Sequence, residues 1–154
     1  MRFLCDEMLG KLARLLRFAG YDTALAAQGA PDAALLRQAL AEERWLVTRD
    51  RTLAAETKPR SVLVRDDGLM DQARSLAREL PVDWLREPFT RCAVDNAPLR
   101  PASLDEIARM PLSSQALPGP FRACPQCGRL YWPGSHVKRM LARLQLLIAA
   151  APDD

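Results

Sequence analysis

One short string near the end of the sequence has the side chains and the spacing of a metal site. The string CPQCG at 124–128 has two residues between Cys124 and Cys127, and a glycine follows Cys127. Two thiolates at this spacing can chelate one metal ion, and the glycine allows the tight turn beneath it. A structural zinc site is tetrahedral and needs two further ligands. The string therefore predicts a zinc knuckle that another part of the chain must complete.

Three aspartates form a second group with chemical potential. Asp6 follows an apolar run at 2–5, Asp50 follows another at 45–48, and Asp32 begins a helical pattern that leads into the second run. The carboxyl ends of parallel strands meet at one edge of a sheet, where three carboxylates would repel one another without a cation. Mg²⁺ or Mn²⁺ suits oxygen ligands and can activate water for phosphodiester hydrolysis. Each aspartate can instead cap a helix, and the two interpretations stay open.

These aspartates depend on strands and helices that alternate along the first 80 residues. The apolar runs at 2–5, after Tyr21, at 45–48 and at 61–64 predict strands, and the periodic segments at 8–19, 33–43, 52–56 and 69–79 predict helices. Such alternation is typical of a parallel sheet with helices on both faces. We therefore expect an α/β domain over residues 1–85.

The pattern changes after Pro81. Prolines recur from there to Pro133, and three of the four cysteines lie in this stretch, which cannot form a large apolar core. A metal ion is the natural substitute for such a core. A last amphipathic helix follows Gly134 and carries Lys138 and Arg139 on its polar side. We therefore expect a zinc-ribbon-like module with a basic final helix over residues 86–154.

The charge is unevenly distributed along the chain. The net charge of +3 combines a neutral part, residues 1–85, with residues 86–152, where 9 Lys and Arg exceed 4 acidic residues by 5, and with Asp153 and Asp154, which remove 2. A basic half fits a polyanion that docks on one side of the protein, although solubility alone can explain the charge. The first seven residues include two acids, and no apolar run reaches the roughly 18 residues of a membrane helix. We expect a soluble, cytoplasmic protein with no membrane partner.

Basic and aromatic residues near these sites are candidates for RNA contact. Cations beside the aspartates would offset their repulsion of phosphate, and exposed aromatic rings can stack on unpaired bases. The candidates are Lys11, Arg14, Arg17, Arg49, Arg51, Trp132, His136, Lys138 and Arg139. For Arg49 and Arg51 the alternative is ordinary ion pairing with acids, for Trp132 it is packing against the last helix, and for His136 it is a structural role.

Several blocks of the sequence resemble one family. The segments FLCDEMLGKLARLLRFAGYDT and DAALLRQALAEERWLVTRDRTL, with the later cysteines and YWPGSH, resemble the Mut-seven C-terminal RNase family, a branch of the PIN-like nucleases. The resemblance implies a PIN-like parallel sheet flanked by helices, a zinc ribbon and metal-dependent hydrolysis of RNA. It implies that Asp6 and Asp50 help hold the catalytic Mg²⁺ or Mn²⁺ and that Asp32 is a third acid.

The sequence departs from the family pattern at the first zinc knuckle. Relatives supply two ligands from C-x-x-C-N, whereas the matching segment here has Cys92, Asp95 and Asn96, so a carboxylate replaces a thiolate. Asp95 is the fourth ligand that we favour. His136 is an alternative, and a third possibility is a degraded site with free thiols or a Cys124–Cys127 disulfide.

Three functions are compatible with these features. The first is a ribonuclease whose ribbon module helps to bind single-stranded or tRNA-like RNA. The second is a non-catalytic RNA-binding or ribosome-associated protein that retains the fold. The third is a toxin-like endonuclease that acts on one RNA site. The sequence identifies no protein partner.

Overall fold

The computed structural model of the chain describes residues 1–149, so the acidic Asp153–Asp154 tail lies outside the described residues. The first part alternates as expected: β1 (Phe3–Cys5), α1 (Gly10–Phe18), β2 (Thr23–Leu25), α2 (Asp32–Ala41), β3 (Trp45–Thr48), α3 (Arg51–Glu56), β4 (Ser61–Leu63) and α4 (Leu69–Glu79). A 3₁₀ turn, Glu7–Leu9, joins β1 to α1. The predicted α/β fold with a parallel sheet is confirmed.

The order of the strands places a crevice between β1 and β3. The four strands pair in the order β2-β1-β3-β4, and every pair is parallel. The chain passes from β1 through α1 to β2 on one side, and then through α2 to β3 on the other side of β1. At such a switch in direction the connecting helices leave opposite faces of the sheet, and the carboxyl ends of the two strands border an open crevice.

Two apolar layers hold β1 and β3 in place. Along the strands the side chains alternate between faces: Phe3 and Val47 belong to the layer covered by α1 and α4, and Leu4 and Leu46 belong to the layer covered by α2 and α3. These four side chains are 0% exposed. Burial of each stabilises the fold by roughly 1.5–3 kcal/mol, so the ends of both strands are firmly positioned.

The C-terminal part is a small antiparallel sheet and a long helix. It contains β5 (Arg100–Pro101), α5 (Leu104–Ala108), α6 (Leu112–Gln115), β6 (Arg122–Ala123), β7 (Leu130–Tyr131) and α7 (Ser135–Ala149). The three strands pair in the order β5-β6-β7 and have two residues each. Strands this short cannot hold a sheet together by themselves. The short helices α5 and α6 were missed in the sequence because the proline-rich stretch shows little periodicity.

The final helix packs into the first layer of the core. Val137, Leu144 and Leu147 of α7 belong to the same buried cluster as α1 and α4, and so does Phe89. The division of the chain at residue 85 therefore remains a proposal, because apolar side chains from both sides of it share one core. Within residues 1–149, no helix is long and apolar enough to cross a membrane.

Candidate functional site

An acidic cleft lies at the carboxyl ends of β1 and β3. Asp6, Glu7, Asp32 and Asp50 line it, together with Arg49 and apolar side chains, and its volume is about 390 Å³. Residues 6 and 50 are far apart in the sequence and reach one cleft because their strands are neighbours in the sheet. The structure thus brings the three predicted aspartates to one cavity.

Thr48 joins the two strand-end aspartates. Its hydroxyl donates to Asp6 Oδ2 at 2.6 Å and accepts from the backbone N–H of Asp50 at 3.0 Å. Asp6 Oδ1 accepts from Met8 N, and Asp50 Oδ1 accepts from the first N–H groups of α3. Both aspartates therefore cap helical turns, as the capping interpretation expected. Among the described residues no side chain or backbone group donates to Asp50 Oδ2, which leaves that oxygen available to a ligand.

Asp32 and Glu7 border the cleft from its other side. Asp32 is exposed in the first turn of α2, and Pro31 is the N-cap residue, so the prediction that Asp32 caps this helix is wrong. Glu7 Oε2 accepts from Gly29 N at 3.0 Å, which fixes the loop before α2. Asp32 makes no hydrogen bond with another described side chain, and its carboxylate is therefore free to bind a ligand.

The donors of the cleft suit a hard cation. All its ionisable acceptors are carboxylates, and the nearest thiol, Cys5, is fully buried with a pKa raised to about 12 by that burial, so it stays protonated. The carboxylate oxygens of the cleft are not tightly grouped. Within residues 1–149, no three of them lie as close together as the ligand atoms of the cysteine cluster do. Mg²⁺ tolerates this arrangement, since it retains several waters and needs only one or two carboxylates.

A second cluster contains the four residues predicted for the zinc site. One ligand atom from each of Cys92, Asp95, Cys124 and Cys127 lies within 4.8 Å of the others, so the four can hold a metal ion. The two sulfurs of Cys92 and Cys127 are 3.8 Å apart, and Cys124 Sγ lies 3.4 Å from Asp95 Oδ1 and 3.1 Å from Asp95 Oδ2. Zn–S bonds of about 2.3 Å and Zn–O bonds of about 2.0 Å give tetrahedral edges of roughly 3.8 and 3.5 Å. The cluster fits zinc.

The two halves of the cluster have the same backbone geometry. Asn96 N donates to Cys92 O at 2.9 Å, and Gly128 N donates to Cys124 O at 3.0 Å. Asn96 and Gly128 both have positive φ, 73° and 76°. This conformation suits glycine and, among other residues, asparagine. The segment with Asp95 is therefore a complete knuckle in which a carboxylate occupies the place of a thiolate.

Hydrogen bonds prepare Asp95 to act as an anion. Its Oδ1 accepts from Ala97 N at 2.9 Å. Burial raises the pKa of Asp95, but the Ala97 N–H and the neighbouring thiols of Cys124, Cys127 and Cys92 outweigh it and lower the pKa to about 2. A charged carboxylate is the form that ligates a metal.

His136 lies outside this cluster. It is exposed in the first turn of α7, and its ring nitrogens are not among the grouped ligand atoms. The structure therefore groups Asp95, and not His136, with the three cysteines. The hydroxyl of Tyr131 lies 3.0 Å from Cys92 Sγ, within hydrogen-bonding distance, and its ring packs edge-on against Phe89.

Arg17 is buried, which contradicts its prediction as an RNA contact. The side chain lies on α1 one turn after Arg14, but the residue is 6% exposed. Its guanidinium donates to Thr23 O at 2.8 Å and to Ala93 O and Val94 O at 3.0 Å. Burial lowers the pKa of Arg17, and the nearby Cys92 and Asp95 oppose that shift. Arg17 therefore joins the first knuckle to the sheet.

Asn96 makes a second connection between the knuckle and the sheet. Its Oδ1 accepts from Thr23 N at 2.9 Å, and its Nδ2 donates to Asp22 Oδ1 at 2.7 Å. Asp22 in turn pairs with Arg44 at 2.8 Å. Asp22 and Arg44 were not predicted to take part in this connection. Asn96 was noted in the sequence only as the residue after Asp95, where it stands as Gly128 stands after Cys127.

Lys11 and Arg14 line a large groove on the same side of the sheet as α7. We call it the basic groove; its volume is about 1210 Å³. Of the predicted RNA contacts, Trp132 and His136 also line it. The groove runs between α1, the start of α4, the small sheet and α7, and includes Arg129 and Arg143, which the sequence analysis did not select.

The remaining basic candidates lie elsewhere. Arg49 lines the acidic cleft and pairs with the exposed Asp67 at 2.6 Å, in agreement with the ion-pair alternative. Arg51 is exposed at the start of α3. Lys138 and Arg139 are exposed on α7 but do not line the groove.

The fold and the cluster define a class of protein: an α/β domain with a polar strand-end cleft, joined to a small module in which four residues can hold a metal ion. A family model described as the Mut7-C RNAse domain matches residues 1–144. The chain belongs to the Mut7-C RNAse domain family, which confirms the resemblance and indicates a nuclease-related role with RNA as the substrate. Neither a search of curated proteins nor a search of solved structures finds a match.

Proposed function

We propose that this protein is a ribonuclease that hydrolyses RNA with a divalent Mg²⁺ or Mn²⁺ ion in the acidic cleft. The observation that carries the proposal is the meeting of Asp6, Asp32 and Asp50 in one cleft at the switch point of the sheet. Ligands of open α/β sheets bind at this place. Family membership supplies RNA as the substrate.

The residues of the cleft have separate tasks in this proposal. Asp50 Oδ2 and the exposed Asp32 carboxylate offer oxygens to the ion, and Asp6, oriented by Thr48 and Met8 N, offers the remaining lone pairs of its two oxygens. When bound, such an ion lowers the pKa of a water and stabilises charge on the phosphoryl oxygens. The bonds to Thr48 and the backbone hold the aspartates in position before the substrate arrives, which reduces reorganisation during the reaction.

Cleavage assays test this proposal. Wild type should cut a labelled unstructured RNA when Mn²⁺ is added, and Asp6→Asn and Asp50→Asn should lower the rate by on the order of 100-fold or more. Asp105→Asn is the matched control, because Asp105 is exposed in α5 and does not line the cleft. Equal melting temperatures of all variants would exclude unfolding as the cause.

A second function, RNA binding without cleavage, has one observation in its favour. The cleft acids do not close on a single point as the cysteine cluster does. Tight binding of RNA by wild type, with no cutting under Mg²⁺ or Mn²⁺, would establish this alternative and reject the ribonuclease.

We also propose that the metal of the cysteine cluster is zinc and that its role is structural. Three sulfurs and one carboxylate oxygen at tetrahedral spacing form a donor set that zinc accepts. The set has no open position for substrate, which distinguishes it from a catalytic zinc site. The strands around it are too short to be stable without such a crosslink.

Elemental analysis tests the zinc site. Purified wild type should contain about one equivalent of zinc, and Asp95→Ala should lose most of it. Asp95→Cys should retain the metal, because it restores a fourth thiolate, and His136→Ala should retain it because His136 lies outside the cluster. Zinc that persists in Asp95→Ala and disappears in His136→Ala would contradict the ligand assignment.

A further inference from the structure

The charged side chains that line the basic groove all have the same sign. They are Lys11, Arg14, Arg129 and Arg143, with His136 beside them, and within residues 1–149 no aspartate or glutamate lines the groove. The chain as a whole contains 19 acidic residues. A large cavity that contains only basic charges attracts a polyanion and raises its local concentration.

Most of the remaining groove lining is apolar or aromatic, and Ser113, Ser114 and Ser135 are its neutral polar members. Met70, Leu117, Leu130, Trp132 and Met140 contribute to it, from α4, the α6 segment, the small sheet and α7. An RNA duplex presents phosphates and hydroxyls and hides the faces of its bases, so it cannot use such a surface. Unpaired bases expose those faces and stack on aromatic side chains.

We propose that the basic groove holds an unpaired RNA segment, with phosphates at Arg129 and Arg143 and at least one base against Trp132. This inference rests on the proposed function and extends it by specifying the form of the substrate and where the protein grips it. The first turn of α7 borders the groove and adds the positive end of the helix dipole to the field of the side chains.

Trp132 is held in place by the chain that follows it. A Cβ atom at Gly134 would lie 2.9 Å from Trp132 Nε1, so the indole lies directly against the backbone there. A ring fixed in this way loses little conformational freedom when a base stacks on it. Only glycine at position 134 permits this contact.

The groove borders the acidic cleft at the beginning of α1. Met8 lines the cleft and Lys11 lines the groove, and three residues span at most about 11 Å. A strand in the groove can therefore extend past the start of α1 to the aspartates, which places binding and proposed cleavage on neighbouring surfaces.

Fluorescence anisotropy with the full chain tests the groove without reference to cleavage. The probe is a labelled unstructured oligouridine, measured without added Mg²⁺ or Mn²⁺ and without chelator, so that the zinc stays in place. Arg143→Glu should weaken binding roughly tenfold and reduce the slope of log affinity against log salt by about 0.7. Arg139→Glu is the matched control, since it is exposed on the same helix but does not line the groove.

Substitutions of Trp132 test the contact with bases. Trp132→Ala should weaken binding roughly tenfold, whereas Trp132→Phe, which keeps an aromatic face, should stay close to wild type. A blunt RNA duplex and a polyglutamate of equal charge should bind more weakly than the oligouridine. The proposal is overturned if the duplex or polyglutamate binds as tightly, or if Arg143→Glu behaves as Arg139→Glu does.

The proposal for the groove and the proposal of ribonuclease activity can be rejected independently. Binding that depends on Arg143 and Trp132, in a protein that never cuts RNA, would keep the groove and reject the catalytic proposal. Metal-dependent cutting that is insensitive to both substitutions would keep the enzyme and reject the groove.

Discussion

The buried Arg17 offers a quantitative test of how the knuckle is attached to the sheet. Replacement by methionine keeps a long unbranched side chain of similar helix propensity while it removes the charge and every N–H donor. The guanidinium makes three hydrogen bonds to carbonyls, and two of these carbonyls belong to Ala93 and Val94, between the ligands Cys92 and Asp95. Arg17→Met therefore disconnects the ligand loop from β2.

The expected loss of stability follows from these bonds. A hydrogen bond to a charged group contributes about 1.5–3 kcal/mol, and an acceptor left buried without a donor carries a further cost. The desolvation of the guanidinium opposes this stabilisation, because the Arg17 residue is only 6% exposed in the fold. We expect Arg17→Met to lower the free energy of unfolding by about 3 kcal/mol.

Urea denaturation measures this loss, and metal release supplies a second readout. Arg14→Met is the matched control: Arg14 lies one turn earlier on α1 and is exposed, so the change should stay within about 0.5 kcal/mol. Because the ligand loop loses its support, Arg17→Met should also release metal to a chromogenic chelator faster than Arg14→Met does. If the two variants unfold within 1 kcal/mol of each other and release metal at equal rates, the reasoning about Arg17 is refuted.

Two further predictions concern the backbone and pH. Gly20→Ala should destabilise the protein by about 2 kcal/mol more than Gly29→Ala. Both glycines have positive φ, but only at Gly20 would a Cβ atom meet backbone, since it would lie 2.6 Å from Glu87 O. Equal melting temperatures of the two variants would contradict this prediction. Although burial raises the pKa of Asp22, hydrogen bonds from Arg44 and Asn96 lower it below the ordinary value. The stabilisation by Asp22 is therefore complete above the ordinary carboxyl pKa of about 4 and is lost as the pH falls below it. The urea midpoints of wild type and Asp22→Asn should consequently differ more at pH 6 than at pH 3.

The sequence was sufficient where a feature is local. Hydrophobic periodicity predicted the four strands and four helices of the first part, and the position of Asp6 and Asp50 directly after apolar runs predicted the strand-end placement that the structure shows. The resemblance to the family, together with the spacing of Cys92 and Asp95, predicted Asp95 as a ligand, and the structure places Asp95 with the three cysteines. The two knuckles are local, because a turn of five residues is specified by its own side chains and its own backbone bonds.

Hydrophobic periodicity led to the wrong prediction that Arg17 is exposed. The pattern identifies a helix and its main buried face, but it does not identify a second element that packs against the opposite face. The polar side of α1 was expected to be exposed, and it is exposed at Lys11 and Arg14 but covered at Arg17 by the knuckle. That contact joins residues more than 70 positions apart, and no local pattern encodes it.

The sequence by itself determined the alternation of strands and helices, the strand-end aspartates and the CPQCG knuckle, because each depends on residues that are close together along the chain. The first knuckle was recognised from the sequence through its resemblance to the family. Only the tertiary structure placed His136 outside the cysteine cluster, buried Arg17, and brought Arg129 and Arg143 together with Lys11 and Arg14 around one groove. These outcomes depend on how distant segments pack, and the shared apolar core of α1, α4 and α7 fixes that packing.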